Sequence, residues 1–180
     1  MNLSRTGILL FCLLLLSSSG FNTGEASAQS SSLFRDQVKE AIKKFSASVI
    51  DTLSKNDNRG LQATLNRIVS DDQKEGKAIR FGIGILDREG LVVAGRHALG
   101  MFREGEDFSR YNFWVKAFKR KKIVSDRLFF QDQSEILIVC VPLVRKKNLV
   151  GALILGFDPS EIKKDYGLTT DDFMSLKFNP

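Results

Sequence analysis

The stretch 135-EILIVCVPLVRKKNLVGALILGF-157 contains two nearly continuous apolar runs that are separated by a short basic segment. Short apolar runs bounded by turn residues are typical of strands that are buried on both faces of a sheet. The pattern predicts one strand over residues 135–143 and another over residues 149–157, with a turn between them. Pro142 has no amide hydrogen to donate, so it is predicted to mark the end of pairing in its strand.

Three further strands are predicted upstream of this stretch. Apolar residues alternate with others over residues 79–85, and a tight connection leads to a second apolar run at residues 91–94, which together predict a hairpin. Another strand-like run covers residues 123–130. Gly82 and Gly84 share one face of the first strand, where the missing side chains admit a helix, a loop or a ligand. Close helix packing is favoured over ligand contact.

Helices are predicted on both sides of these strands in the chain. Apolar residues recur at intervals of three or four over residues 32–53 and form a stripe along one side of a long helix: Phe34, Val38, Ile42, Phe45, Val49 and Leu53. A turn-forming segment then precedes a shorter helix over residues 61–70. Ser109 is predicted to cap a third helix, and residues 158–160 to open a short terminal helix that Gly167 ends.

The first 28 residues have the features of a secretory signal peptide. Arg5 supplies a positive start, residues 7–16 form an apolar run, and Ala26-Ser27-Ala28 supplies small residues for signal peptidase cleavage. The apolar run is shorter than the roughly 20 residues that a transmembrane helix needs. The mature protein is therefore predicted to begin near Gln29 and to be periplasmic or secreted.

The remaining 152 residues have the size of one ordinary domain. That domain is predicted over residues 29–165, followed by a tail over residues 166–180 with a short helix near residue 170. The formal net charge is +6, and much of the excess lies in two basic runs, at residues 119–122 and 145–147. Such runs are typical of solvated loops, with a polyanion or anionic-lipid site as the alternative. Export argues against a nucleic-acid partner.

The residue inventory argues against catalysis and against a bound metal. The chain has one histidine, His97, and Cys140 is the one cysteine left after cleavage, so a metal or haem site lacks ligands. No cofactor is predicted. A Ser/His/Asp set would have to use His97, and no nucleophile motif accompanies it. Cys140 lies in an apolar run, where a cysteine is most often a small buried residue. The chain is therefore predicted not to be an enzyme.

The pattern that remains is suited to binding. Residues 95–130 form the one long irregular connection, and such connections often carry function. Aromatic walls with a cation beside them suit a small carboxylate ligand. The predicted ligand-binding residues are Tyr111, Trp114, Arg127, Arg103 and His97, with Arg96 and Lys116 as further anion partners. In the alternative interpretation, Tyr111, Trp114 and Phe118 only seat their helix on the sheet.

The order of these elements resembles the single Cache (sCache) family, whose members are PAS-like extracytoplasmic sensor domains. The resemblance covers residues 33–162, and it rests on the long first helix and four strings, at residues 85–90, 105–111, 141–143 and 149–153. It implies an α+β fold with a five-stranded antiparallel sheet of order 2-1-5-4-3. The long amino-terminal helix packs on one face of that sheet and a ligand-binding loop region lies on the other.

The resemblance also implies ligands of the organic-acid or amino-acid type and a homodimer through the long helix, although the role of that helix in the core explains its stripe equally well. Cache domains usually lie between two transmembrane helices that lead to an output domain, and this chain has neither the second helix nor the output domain. The expected function is an exported, free-standing sensor that binds a small, anionic metabolite and signals through a separate membrane receptor or kinase. The alternative is a non-sensing envelope interaction module that docks a protein or an anionic surface through its basic loops.

Overall fold

The computed structural model describes residues 23–74, 81–96, 102–130 and 134–178. Five helices lie in this part of the chain: α1 (Thr23–Leu53), α2 (Asn58–Lys74), α3 (Asn112–Arg120), α4 (Pro159–Tyr166) and α5 (Thr170–Ser175). Five strands accompany them: β1 (Gly82–Leu86), β2 (Val92–Arg96), β3 (Val124–Phe129), β4 (Glu135–Arg145) and β5 (Asn148–Phe157). The predicted alternation of two helices, two strands, a helix, three strands and a terminal helix is confirmed.

The strands form one antiparallel sheet of order β2-β1-β5-β4-β3, which confirms the order that the resemblance implied. β4 and β5 pair from Leu137 opposite Phe157 to Arg145 opposite Asn148. All residues of β5 from Val150 onward are buried, as are residues 136–141 of β4. The nearly continuous apolar runs therefore correspond, as predicted, to strands that are covered on both faces.

One face of the sheet is covered by α1 and α2. The stripe on α1 is buried except for Ile42, which is half-buried at the edge of the core. Alternate residues of the strands meet this stripe, among them Ile83, Leu137 and Leu155. The sheet and its two long helices thus bury the larger of the two hydrophobic clusters.

α1 begins earlier than the stripe predicted. Its first residue is Thr23, whereas the apolar periodicity pointed to a start near Ser32. Residues 23–31 are small or polar and contribute no apolar stripe, so periodicity carries no signal for them. The predicted cleavage site at Ala26-Ser27-Ala28 lies in the first turns of this helix. Within the described residues, no helix has the length and hydropathy to cross a bilayer.

The other face of the sheet is covered by α3 and by the segment 102–111. Their apolar residues form a second cluster with Leu86, Ile138 and Ile154 of the strands. Cys140 belongs to this cluster and is fully buried, which confirms the interpretation of this cysteine as a small core residue. Burial raises the pKa of the Cys140 thiol far above its ordinary value, so the group stays protonated and unreactive.

Two local predictions are wrong. The residue at the N-cap of α3 is Tyr111, not Ser109, because the Ser109 amide donates to the Asp107 carboxylate at 2.8 Å and closes a turn before the helix. Pro142 does not end the pairing of β4 with β5, since that ladder continues to Arg145. It follows the end of the β3 ladder, whose last pair is Val124 opposite Cys140, so Pro142 has a strand on only one side.

The carboxyl-terminal residues pack on the same core as α1. The Asp158 side chain caps α4, and Thr169 with Asp172 forms a capping box at α5. Hydrogen bonds from the Thr169 side chain and backbone hold the pKa of the Asp172 carboxyl below its ordinary value. Phe173 and Phe178 are buried, and their rings lie 6.0 and 6.5 Å from that of Phe34. Residues 166–178, predicted as a tail, therefore complete the core.

The turn between β4 and β5 provides a test of backbone strain. Lys146 and Lys147 form a two-residue hairpin loop with φ of 48° and 70°, the left-handed conformations that favour Asn and Gly. The double substitution Lys146→Asn, Lys147→Gly is expected to raise the free energy of unfolding by about 1–2 kcal/mol, measured by urea denaturation. The control Lys146→Gln, Lys147→Gln removes the same charge but keeps the strain, so its gain should be smaller and should reflect only the relief of charge repulsion. Equal stability of the two double variants would contradict this account.

Candidate functional site

Glycines without side chains line part of the sheet on the face that carries α3. Gly84 lies opposite Gly95 across β1 and β2, and Gly82 lies opposite Gly156 across β1 and β5. Residues at i and i+2 of a strand share a face, so these four positions lie together. We call this area the glycine floor. It forms a shallow recess because no Cβ atoms rise from it.

Phe102 fills the recess over the glycine floor. A Cβ placed on Gly84 would lie 2.9 Å from the Phe102 ring, and one on Gly156 would lie 2.8 Å from the far end of that ring. A Cβ on Gly95 would overlap the Phe102 carbonyl oxygen. The prediction that a helix packs over these glycines is therefore wrong, since a side chain from the long connection occupies the place.

Phe102 has an unusual backbone conformation for a bulky residue. Its φ is 60°, in the left-handed region, while its side chain is only 3% exposed. Bulky residues adopt this conformation at a cost, and such costs are tolerated where surrounding contacts determine the position. The contacts here are the glycine floor below and the Phe108 ring beside it, whose centroid lies 6.0 Å away.

An aromatic cluster continues from Phe102 toward α3. The Tyr111 ring stacks on that of Phe113 at 5.8 Å and lies 5.2 Å from that of Phe108. Tyr111 is 41% exposed and presents one side to solvent, whereas Trp114 is only 5% exposed and packs 5.1 Å from the Phe118 ring. The burial of Trp114 agrees with the alternative in which this residue seats α3 on the sheet.

The structure separates the predicted cationic residues. Arg103 follows Phe102 directly and is exposed on the face of the glycine floor, where its amide donates to the Glu106 carboxylate at 3.2 Å. Arg127 lies opposite Leu137, whose side chain belongs to the core under α1, so Arg127 is on the other face of the sheet. It donates to the Asp171 carboxylate at 2.6 Å.

The other predicted anion partners are also dispersed. Arg96 pairs with Ile83 on the α2 side and lies 3.4 Å from the Asn66 side chain. Lys116 forms an ion pair with Asp126 at 3.6 Å. His97 lies outside the described residues. Of the five predicted ligand-binding residues, Tyr111, Trp114 and Arg103 lie on the face of the glycine floor and Arg127 does not.

The segment beside Arg103 carries both signs of charge. Arg103 and Arg110 are cationic, and Glu104, Glu106 and Asp107 are acidic, all exposed. Hydrogen bonds from the Ser109 amide and hydroxyl lower the pKa of the Asp107 carboxyl below its ordinary value, so Asp107 is ionised at neutral pH. A ligand over the glycine floor would therefore meet cations and anions from one short segment.

An open cleft lies on the α1 side of the sheet. This cleft of about 370 Å³ is lined by the α1–α2 turn and by the β1–β2 connection, including Asn56, Asp87 and Arg88. It contains none of the predicted ligand-binding residues. Neither the cleft nor the glycine floor offers a metal site, since the described ranges hold no group of three or more His, Cys, Asp or Glu side chains in ligating positions.

Several solved structures of extracellular and sensory domains resemble this chain. The extracellular domain of vpHK1S-Z8, a protein described as a histidine kinase, superposes with a TM-score of 0.63 at 16% identity, covering 82% of this chain and 59% of that one. A domain of a protein described as a sensory box/GGDEF family member from Vibrio parahaemolyticus gives a TM-score of 0.59 at 15% identity, covering 83% and 62%. The ligand-binding domain of the Campylobacter jejuni chemoreceptor Tlp3, in complex with L-norvaline, gives 0.56 at 10% identity, covering 82% and 61%.

The chain has the fold of these sensor domains. The PAS-like Cache architecture that the sequence implied is therefore confirmed as a fold. The chain spans about three fifths of the length of these three structures. No family model and no curated protein matches the sequence.

Sequence patterns do not mark the residues that shape this recess. Phe102 was not singled out, because a lone phenylalanine in an irregular, glycine-containing segment has no periodicity to mark it. Gly95 and Gly156 were also missed. The predicted hairpin carried a signal for Gly95, since its register places that residue opposite Gly84.

Proposed function

We propose that this chain is an exported sensory domain that binds a small metabolite over the glycine floor. The fold supports this proposal, because the Tlp3 domain that shares it was solved in complex with L-norvaline. The proposed signalling partner is a separate membrane receptor or kinase. No enzymatic activity is part of the proposal.

The recess over the glycine floor is the observation that carries the proposal. Its four glycines remove side chains from adjoining positions of three strands, and a single strained aromatic residue occupies the space. A flat floor with an apolar occupant suits the apolar part of a small ligand. We propose that the ligand takes the place of the Phe102 ring. Once the ring is displaced, the backbone of Phe102 is free to leave its left-handed conformation.

The charges of residues 103–110, which adjoin the glycine floor, indicate which class of ligand could bind there. A simple dicarboxylate would meet Arg103 and Arg110 but also three carboxylates at residues 104, 106 and 107. A ligand with an ammonium group and a carboxylate can pair with both signs. The proposed ligand is therefore of the amino-acid type, with an apolar side chain for the recess.

A thermal-shift screen tests this proposal. The purified chain is mixed with a panel of amino acids and small organic acids, and at least one apolar amino acid is expected to raise the melting temperature. A ligand present at 100 times its Kd adds about 2.7 kcal/mol to the stability of the folded state. Failure of the whole panel to stabilise a folded sample would overturn the proposal.

Two matched variants locate the site. Arg103→Ala removes a cation beside the recess and is expected to abolish or strongly reduce the ligand-induced shift. Arg127→Ala removes a cation from the opposite face of the sheet and is expected to leave that shift unchanged. A loss with Arg127→Ala alone would place the ligand on the wrong face for this proposal.

A further inference from the structure

The two basic runs of the sequence meet at one end of the molecule. The last turn of α3 leads into Lys121, whose ammonium group lies 3.4 Å from the Lys147 carbonyl oxygen in the β4–β5 turn. We define the basic end by the residues that this contact brings together: Lys119, Arg120, Lys121, Lys122, Lys146 and Lys147. All six are exposed.

The charges of the basic end have no acidic partners within the described residues. The ion pairs formed nearby use other cations, since Lys116 pairs with Asp126 and Arg145 pairs with Asp51. Six unneutralised cations on one surface repel one another and attract an anionic partner. The concentration of charge here is therefore available for an intermolecular contact.

Backbone conformation gives a second reason to assign a role to these lysines. Lys121, Lys146 and Lys147 have φ of 48°, 48° and 70°. Left-handed positions favour Asn or Gly, and lysine pays a conformational cost there. Neither turn formation nor core packing favours lysine at these three positions. A functional requirement for positive charge explains why lysine is found there.

We propose that the basic end binds the surface of an anionic lipid bilayer. Five of its six cations are lysines, and lysine is depleted at the centres of protein interfaces, where arginine is favoured. An ammonium group needs no fixed geometry, which suits mobile phosphate headgroups. Apolar side chains border the charges, because Phe118 precedes Lys119 and is 37% exposed, and Val144 in β4 is 38% exposed. Basic residues with exposed apolar neighbours are typical of interfacial membrane binding.

The basic end lies far from both ends of the described part of the chain. Arg145, beside the turn, pairs with Asp51 near the end of α1, whereas Phe34 in the first half of α1 packs on Phe178. The α1 axis between Phe34 and Leu53 is about 28 Å long. A molecule bound through its basic end would therefore hold both described chain ends away from the bilayer.

Vesicle co-sedimentation of the full chain tests this inference. Vesicles that contain phosphatidylglycerol are expected to bind the chain more tightly than vesicles of pure phosphatidylcholine, and the difference should decline with added salt. The neutral vesicles account for any contribution of the apolar run at residues 7–16. Lys146→Asn, Lys147→Gly should weaken the binding to anionic vesicles by about 30-fold. This variant relaxes the turn, so a loss of binding cannot be attributed to misfolding.

A matched control separates a local surface from net charge. Lys43→Gln, Lys177→Gln removes two exposed charges away from the basic end and is expected to change the affinity less than about twofold. Inorganic phosphate should release no more protein than chloride at equal ionic strength. The inference is overturned if the two double variants bind alike, or if phosphate alone releases the protein, which would indicate a discrete anion site. Neither result bears on the amino-acid screen.

Discussion

Phe102→Ala is expected to lower the free energy of unfolding by about 3–4 kcal/mol. The ring is buried between the glycine floor and Phe108, and the glycines have no side chains that move to fill the space it leaves. When a cavity cannot collapse, the folded state loses the transfer free energy of the removed ring and also bears the free energy cost of the empty space. Urea denaturation followed by circular dichroism measures the loss.

Ligand rescue and a second substitution sharpen this result. A small aromatic compound such as indole is expected to enter the cavity and restore part of the lost stability. Phe102→Gly creates the same cavity but suits a φ of 60°, so it should be at least as stable as Phe102→Ala, the reverse of the usual order. A loss below about 1 kcal/mol in the alanine variant would mean that Phe102 does not fill the recess.

Gly95→Ala is expected to cost about 3 kcal/mol. A methyl group at this position would overlap the Phe102 carbonyl oxygen and lie 3.2 Å from the Phe102 Cβ atom. The obstruction is backbone, so a change of rotamer cannot relieve it, and the segment that carries Phe102 must move away from the sheet. Differential scanning calorimetry should show a large decrease in melting temperature.

Gly105→Ala is the control for this substitution. Gly105 has a φ of 84°, and a Cβ atom placed there meets nothing within 4 Å. The control therefore carries the left-handed penalty of about 1–2 kcal/mol without a steric overlap. Equal losses for the two alanine variants would show that the close approach of Phe102 to Gly95 is unimportant for stability.

Local patterns predicted the elements of this fold because each pattern records which faces of an element are buried. The stripe on α1 and the continuous apolar runs of β4 and β5 are direct consequences of burial, and the structure confirms them. The early start of α1 and the position of the N-cap of α3 at Tyr111 depend on polar residues. These residues show no apolar pattern from which burial could be predicted. The sheet order came from the family resemblance, not from any single pattern.

The candidate site was less predictable because it depends on pairing between distant residues. Arg127 was grouped with Tyr111 by its position in the long connection, but its register opposite Leu137 turns it to the other face. The glycine floor forms from three strands, and the sequence alone does not specify that Gly156 lies opposite Gly82. The path that carries Phe102 over those glycines is set by tertiary packing.

The aromatic contacts of Phe34 have a mechanical consequence. This ring lies 5.5 Å from that of Phe157 at the end of β5 and 4.9 Å from that of Tyr166 in α4, and the Phe173 and Phe178 rings complete the group. Tension applied between the two ends of the polypeptide would load these ring contacts before it reached the hydrogen-bonded ladders. The ring contacts of Phe34 would therefore separate first and the strands last. Until they separate, these contacts transmit force between α1 and the carboxyl-terminal residues.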